Sequence, residues 1–430
     1  MAPRALPPAL AAVADTVAER LDPGLARVFH GCFAGSWGAA MQPLDDGTVF
    51  VATGDIPAMW LRDSAAQVRP YLVAATDPQV YGELAGVLRR QLSYVRVDPY
   101  ANAFRARPER PDGADEPPPG PLVWERKYEL DSLCAPLLLG YALHRAADRA
   151  EHLDEEFFQV AEDILGLWRV EQTHPQRSDY AFRRAGAWPG DQLGGGGRGG
   201  SVAWTGMTWS GFRPSDDACR YGYHVPANAL ATVALHALAE LAALDGRGAL
   251  ARSASALGTE IRAGIAAHGT RRVAGLGAVY AYEVDGHGGQ ALLDDANVPS
   301  LLSLPYLGFC AGTDPLYRRT RRFVLSPANP HHVVGRFASG IGSPHTPGRR
   351  VWPLALTMAA LTSDDDAERH RLARLLAATD AGTGRQHESF DVDDPGDYTR
   401  PWFGWADALY SELLMELAGL PVRQWFPVLP

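Results

Sequence analysis

Three carboxylates in two short motifs are the groups of this chain best suited to acid–base chemistry. Asp216 and Asp217 stand in W-S-G-F-R-P-S-D-D-A-C-R-Y-G-Y, Trp209–Tyr223. Trp209, Phe212, Tyr221 and Tyr223 surround them, and Arg213 is close in sequence. An aromatic wall beside a carboxyl raises its pKa and suits it to act as a general acid. Ser215 also reads as an N-cap with both aspartates in a first helical turn, so plain capping is the structural alternative. Glu388 is the third carboxylate, in G-R-Q-H-E-S-F-D-V-D-D, Gly384–Asp394, between His387 and Phe390. A zinc-protease helix needs a second His four residues after His387; Asp391 is there instead. Asp391, Asp393, Asp394 and Asp397 lack EF-hand spacing and read as a solvated acidic loop.

Further polar and aromatic segments carry the same composition. Thr53–Ser64 reads T-G-D-I-P-A-M-W-L-R-D-S and holds Asp55, Trp60, Arg62 and Asp63. Asp294, Asp295 and Asn297 follow, then Arg336 with Ser343 and His345, then Trp402 with Trp405. Each segment taken alone fits a cap or a core position. Together they suit a carbohydrate: aromatic rings cover the C–H face of a sugar while charged groups bind its hydroxyls. Two carboxylates then serve glycoside hydrolysis. Gly194–Gly200 lacks the G-K-[ST] of a P-loop, and neither a dinucleotide fingerprint nor a G-x-S-x-G elbow occurs.

Helices must position these groups. Val80, Leu84, Leu88, Leu92 and Val95 form one apolar stripe, and Leu130, Leu133, Leu137 and Tyr141 a second. Phe157, Val160, Ile164 and Leu167 form a third; Leu230 to Leu244 and Trp405 to Leu417 add two more. Val273–Val284 is the best strand candidate, in a hairpin or loop strand. Arg107–Leu122 and Gly190–Gly200 read as long surface or site-forming loops. Polar motifs lead into helices at Asp63, Asp131, Asp216, Asp295, Trp352 and Trp405, in steps of 68, 85, 79, 57 and 53 residues. That rhythm predicts an all-α fold: an (α/α)6 barrel, six helical hairpins in a toroid with minor β-hairpin structure in the loops, forming a single catalytic domain over residues 1–430.

Composition narrows the partners. The 430 residues carry 40 basic and 50 acidic side chains, net −10, with 46% hydrophobic residues. That balance excludes a general nucleic-acid binder and disfavours an anionic membrane surface. Lys127 is the sole lysine, which we read as compositional bias. The stretch Ala9–Ala18 is broken by Asp15 and followed by Glu19 and Asp22, so no secretory leader is expected. The most apolar stretch, Ala227–Leu244, contains His236 and Glu240, so no membrane span is expected either. Cys32, Cys134, Cys219 and Cys310 form no C-x-x-C pair. Reduced, buried thiols in a cytoplasmic protein are the expectation, with two disulfides as the alternative.

Six motifs carry a family resemblance. They are T-G-D-I-P-A-M-W-L-R-D-S, T-G-M-T-W-S-G-F-R-P-S-D-D-A-C, D-D-A-N-V-P-S-L-L, G-S-P-H-T, H-E-S-F and T-R-P-W-F-G-W-A. In this order, from about Leu21 to Leu417, the chain resembles glycoside hydrolase family 125. The resemblance implies an exo-acting, inverting, metal-independent α-1,6-mannosidase with an (α/α)6 fold and no cofactor, acting on the terminal non-reducing mannose of mannose-containing oligosaccharides. It implies that Glu388 is the general base and one aspartate of S-D-D the general acid. We favour Asp216, with Asp217 the alternative acid or a neighbour that orients sugar. Trp60, Arg62, Asp63, Arg213, His345 and Trp405 are candidates for the subsite of the terminal mannose. Asp55, Trp209, Asp217, Asp295, Asn297, Arg336, His387 and Trp402 are further candidate sugar contacts. Asp407 stands where the resemblance leads one to expect Asn, a change that bears on a sugar contact or a helix cap. Rival readings are another (α/α)6 sugar enzyme, a glucosidase or epimerase, and a non-catalytic sugar-binding protein.

Overall fold

A computed structural model describes residues 4–110, 113–186 and 188–430. It is rich in helix, and its strands form only two- and three-stranded sheets among the described residues. The chain divides into two compact units, each built from separate stretches. One comprises Met1–Gln91, Leu139–His152 and His331–Phe426; the other comprises Leu92–Leu138, Leu153–Pro330 and Pro427–Pro430.

The first unit gathers around the Gly404–Leu417 helix, which touches the Pro23–Gly35, Leu61–Val68 and Pro353–Leu361 helices. Its residues Gly404 to Met415 are all buried, so no polar face turns to water. Asp22 starts the Pro23–Gly35 helix by accepting from the Leu25 amide at 3.2 Å, with Pro23 at a position that needs no N–H donor. A three-stranded sheet joins Arg350–Val351, Ser389–Asp391 and Asp394–Thr399, all antiparallel. Its last hairpin contains the acidic loop, where Arg349 pairs with Asp393 at 2.9 Å and Arg350 with Asp397 at 2.6 Å.

The second unit packs the Val225–Leu244 helix on the Gly248–His268 helix. By length and composition Val225–Leu244 could cross a membrane, contrary to the sequence expectation, but most of it is buried within the fold, as in a core helix. His224 caps it, its Nδ1 accepting from the Ala227 amide at 3.3 Å. Burial holds that imidazole well below its ordinary pKa, which leaves the ring nitrogen free to accept. Asp154 caps the Glu155–Glu171 helix in the same way, accepting from the Phe157 amide at 3.0 Å.

The periodic segments form helices as expected: Pro78–Val97, Leu130–Ala147, Glu155–Glu171, Val225–Leu244 and Gly404–Leu417. Val273–Val284 supplies the hairpin of Thr270–Val273 with Gly277–Tyr280, plus the Glu283–Val284 strand. Within the proline-rich loop, Asp115–Glu116 pairs with Arg183–Arg184; residues 111 and 112 lie outside the described residues. Four of the six motif markers stand at helix starts, namely Asp63, Asp131, Trp352 and Trp405. Two do not. Asp295 leads into turns, and the next helix begins at Pro315. Asp294 binds the Leu301 and Leu302 amides, but Pro305 offers no N–H to carry a helix onward. Asp216 and Asp217 lie in a turn, nine residues and eight residues before the helix at Val225. All four cysteines are free, and Cys32, Cys134 and Cys219 are buried.

Candidate active site

The S-D-D turn is tight. The Asp216 amide donates to the Arg213 carbonyl at 2.9 Å, and the Arg213 amide to the Asp217 carbonyl at 2.8 Å. Asp216 has φ +65°, in the left-handed region that costs a non-glycine residue about 1–2 kcal/mol. Capping therefore fails as the explanation: neither aspartate is in a helix, and Ser215 bonds to Asp217 instead, its hydroxyl donating to Oδ2 at 2.9 Å. Such strain persists only where surrounding contacts over-determine it. Here they do. Asn102 Nδ2 donates to Asp216 Oδ1 at 3.1 Å, and the same amide nitrogen lies near Glu125 and Glu129.

Lys127 sits beside this cluster, buried, with Nζ 2.6 Å from Asp191 and 3.2 Å from Glu125. Burial alone would lower its pKa, yet Glu125, Asp216 and Asp191 hold it above the ordinary lysine value. Arg184 completes the network, reaching Asp115 at 2.6 Å and Glu125 at 2.9 Å. Asp216 is half-buried, whereas Asp217 is buried. Arg213 is spent on Glu283 at 2.5 Å, and Glu283 also accepts from the Arg220 and Tyr221 amides. Trp209 is a core residue at 1% exposure, stacked 3.6 Å from His174, so its ring offers no face to a sugar. Asp295 and Asn297 are buried neighbours, the aspartate accepting from the Asn297 amide at 3.0 Å and its side chain at 2.8 Å.

In the other unit, Glu388 is 7% exposed and fixed through its neighbours. His387 stacks on Tyr398 at 3.7 Å, and its ring nitrogens face the Arg400 and Asp380 carbonyls. The Ser389 amide donates to Thr399 Oγ1 at 3.1 Å. Arg400 stands 3.8 Å from Glu388 and is anchored elsewhere, through Asp55 Oδ1 and the Thr53 carbonyl. At that distance it supplies positive potential without closing to a hydrogen bond.

Around these lie the remaining predicted residues of this unit. Trp60 is buried and precedes the Leu61–Val68 helix. Arg62 contacts Asp63 at 3.5 Å and lies 5.1 Å over the Trp405 ring. Trp402 carries a buried indole N–H that meets no acceptor among the described residues, with Arg385 over its ring at 4.6 Å. His345 is exposed, its ring 6.4 Å from Trp352. Arg336 is exposed on the turn between His332–Val334 and Ser339–Ile341, its amide bonded to Asp393. Sequence reading missed Asn102, Lys127, Glu125 and Arg400. Two of them left a signal: Lys127 as the sole lysine of the chain, and Arg400 inside the T-R-P-W-F-G-W-A motif.

A helix-rich scaffold carrying carboxylates in rigid polar cradles fits a carbohydrate hydrolase. Its fold is like that of a bacterial glucoamylase solved with acarbose, with TM-score 0.61 at 15% identity over 95% of this chain and 58% of that one. The chain belongs to the family of metal-independent α-mannosidases, glycoside hydrolase family 125, whose model matches residues 22–415. It is similar to a Streptococcus pneumoniae metal-independent α-mannosidase solved as a non-productive substrate complex with α-1,6-mannobiose. There the identity is 42% and the TM-score 0.94, covering 96% of this chain and 99% of that one. It is also 39% identical to the meiotically up-regulated gene 157 protein of Schizosaccharomyces pombe, over 94% of this chain and 84% of that protein.

Proposed function

We propose that this α-mannosidase is exo-acting and inverting and removes terminal non-reducing α-1,6-linked mannose from mannose oligosaccharides. The six-hairpin (α/α)6 toroid, with residues 1–430 as one catalytic domain, is our reading of the spacing of the motif segments. Free thiols support a cytoplasmic setting. The α-1,6 linkage rests on similarity to the mannobiose-bound S. pneumoniae enzyme.

The observation that carries the mechanism is the strained S-D-D turn, where Asp216 alone takes left-handed backbone and meets Asn102. Asp216 serves as general acid and gives its proton to the leaving glycosidic oxygen. Glu388 serves as general base and takes a proton from the water that attacks the anomeric carbon. The C–O bond to the leaving sugar breaks as the bond to water forms, and mannose departs with inverted configuration. Asp217, held by Ser215, orients the turn or the sugar. Trp405 under Arg62, with Trp60 and Asp63, forms the candidate surface for the mannose ring.

The test is a linkage panel of mannobioses with proton NMR of the first product. β-Mannose released first, from the α-1,6 linkage above the others, is the expected result. α-Mannose released first removes the inverting assignment, and no monosaccharide at all removes the hydrolase. Replacing Glu388→Gln or Asp216→Asn should lower kcat by about 10²–10⁴-fold, the usual contribution of a general acid or base. If D217N loses more than D216N, the acid is Asp217.

A further inference from the structure

Asp407 is a fully buried carboxylate in the first turn of the Gly404–Leu417 helix. It makes neither the sugar contact nor the helix cap that its departure from the expected Asn suggested. Its Oδ1 accepts from the Gln386 amide at 2.7 Å and from the Cys32 thiol at 3.1 Å. Its Oδ2 accepts from Arg385 Nη1 at 3.0 Å. The partners come from two places: the Pro23–Gly35 helix and the non-regular segment that leads into Glu388. Gln386 is two residues before Glu388, and Ser389, one residue after, is tied to Thr399 at 3.1 Å. The backbone of Glu388 is thus gripped on both sides. Taking an unpaired carboxylate out of water costs several kcal/mol. A neutral amide would serve the Gln386 N–H equally well, so the charge is retained for Arg385.

We propose that Asp407 is a positioning residue for Glu388, clamping Arg385 and the Gln386 amide so that the Glu388 carboxylate stays in register for its water. This rests on the reading of Glu388 as general base. The groups facing Asp407 are Arg385, the Cys32 thiol and the Tyr71 phenol, the last two pushed up in pKa by burial. Burial likewise pushes Asp407 up to about 6, with Arg385 opposing. Below that pH the carboxyl becomes neutral and the ionic half of the clamp is lost.

The experiment measures kcat and KM on α-1,6-mannobiose from acid to neutral pH for the full chain and for D407N, D407A and E388Q, with thermal melting of each. We expect D407A to lose about tenfold or more in kcat with KM within about twofold, since a misplacement near 1 Å can cost 10²-fold. D407N keeps an acceptor for the Gln386 amide but lacks the charge for Arg385, so its kcat at neutral pH should fall by about threefold to tenfold, less than in D407A. With the titrating group gone, its kcat should change less between neutral and acid pH than that of the wild type. Unchanged kcat in D407A, or an acid limb in D407N that coincides with the wild type, overturns the proposal. So does a fall in kcat that tracks melting temperature and KM alike in both variants. If D407A does not fold, the acid limb of D407N decides alone. An active E388Q instead removes the reading of Glu388 as base.

Discussion

Lys127 is the residue that bears most on the cluster around Asp216, the proposed acid. Its ammonium is buried among Glu125, Asp191 and Asp216, and those carboxylates hold its pKa above the ordinary value of ~10.4. A raised lysine pKa stabilises the fold at every pH below the unfolded value, and that contribution disappears only as alkali titrates the folded amine. Lys127→Met should therefore cost about 3–5 kcal/mol at neutral pH, the penalty for breaking a buried pair from one side. Denaturant titration measures it. K127R keeps the charge and should recover most of the loss. A K127M midpoint equal to the wild type would show that the network carries no stability. Residue identity matters equally at Trp209, whose indole belongs to the aromatic core with His174 and Tyr128 rather than to a sugar platform.

At the scale of elements, two kinds of start signal behave differently. Asp154 caps the Glu155–Glu171 helix through the Phe157 amide. Asp154→Ala should lower stability by about 0.5–2 kcal/mol and leave kcat and KM unchanged. Gly54 precedes the Leu61–Val68 helix with φ +71°, and a Cβ there would collide with the Trp402 carbonyl. The next amide, Asp55, donates to that same carbonyl at 3.2 Å, and the Asp55 carboxylate anchors Arg400 beside Glu388. Gly54→Ala should thus cost about 1–3 kcal/mol of strain and also lower kcat. Comparing melting curves and steady-state kinetics of the two variants separates them. Loss of kcat in D154A, or its retention in a destabilised G54A, would contradict this division between scaffold and site.

For the whole molecule, Asp294 links stability to pH. Burial, only partly offset by the Leu301 and Leu302 amides, pushes its pKa up to about 8. Between the ordinary carboxylate range and that value, the folded chain holds a proton that the unfolded chain has released. Unfolding free energy therefore falls as pH rises through this window, by up to about 1.4 kcal/mol per pH unit, and levels off above it. Asp294→Asn removes this proton linkage, though it also gives up one of two acceptors. The urea midpoint of D294N should be lower than the wild type in acid and converge on it, or pass it, in mild alkali. Parallel pH profiles would place the ionisation of Asp294 in its ordinary range.

Periodicity alone determined five of the long helices, because an apolar stripe at helical spacing has only one way to be buried, while the 21-residue Gly248–His268 helix was not read from it. Motif identity determined the family, and it singled out Glu388 and the S-D-D aspartates as the carboxylates proposed for its acid and base. The cradle around Asp216 was not legible: Asn102 and Asp216 are 114 residues apart, and no local pattern encodes that hydrogen bond. The same holds for Cys32 and Asp407, separated by 375 residues. The left-handed backbone of Asp216 also escaped, since S-D-D is the pattern of a helix cap, and only the turn through Arg213 and the later start at Val225 exclude the helix. Local sequence fixes which segments are helical and which side chains can ionise. Which ionisable groups meet, and which are buried with a partner, depends on contacts between distant segments that only the tertiary fold brings together.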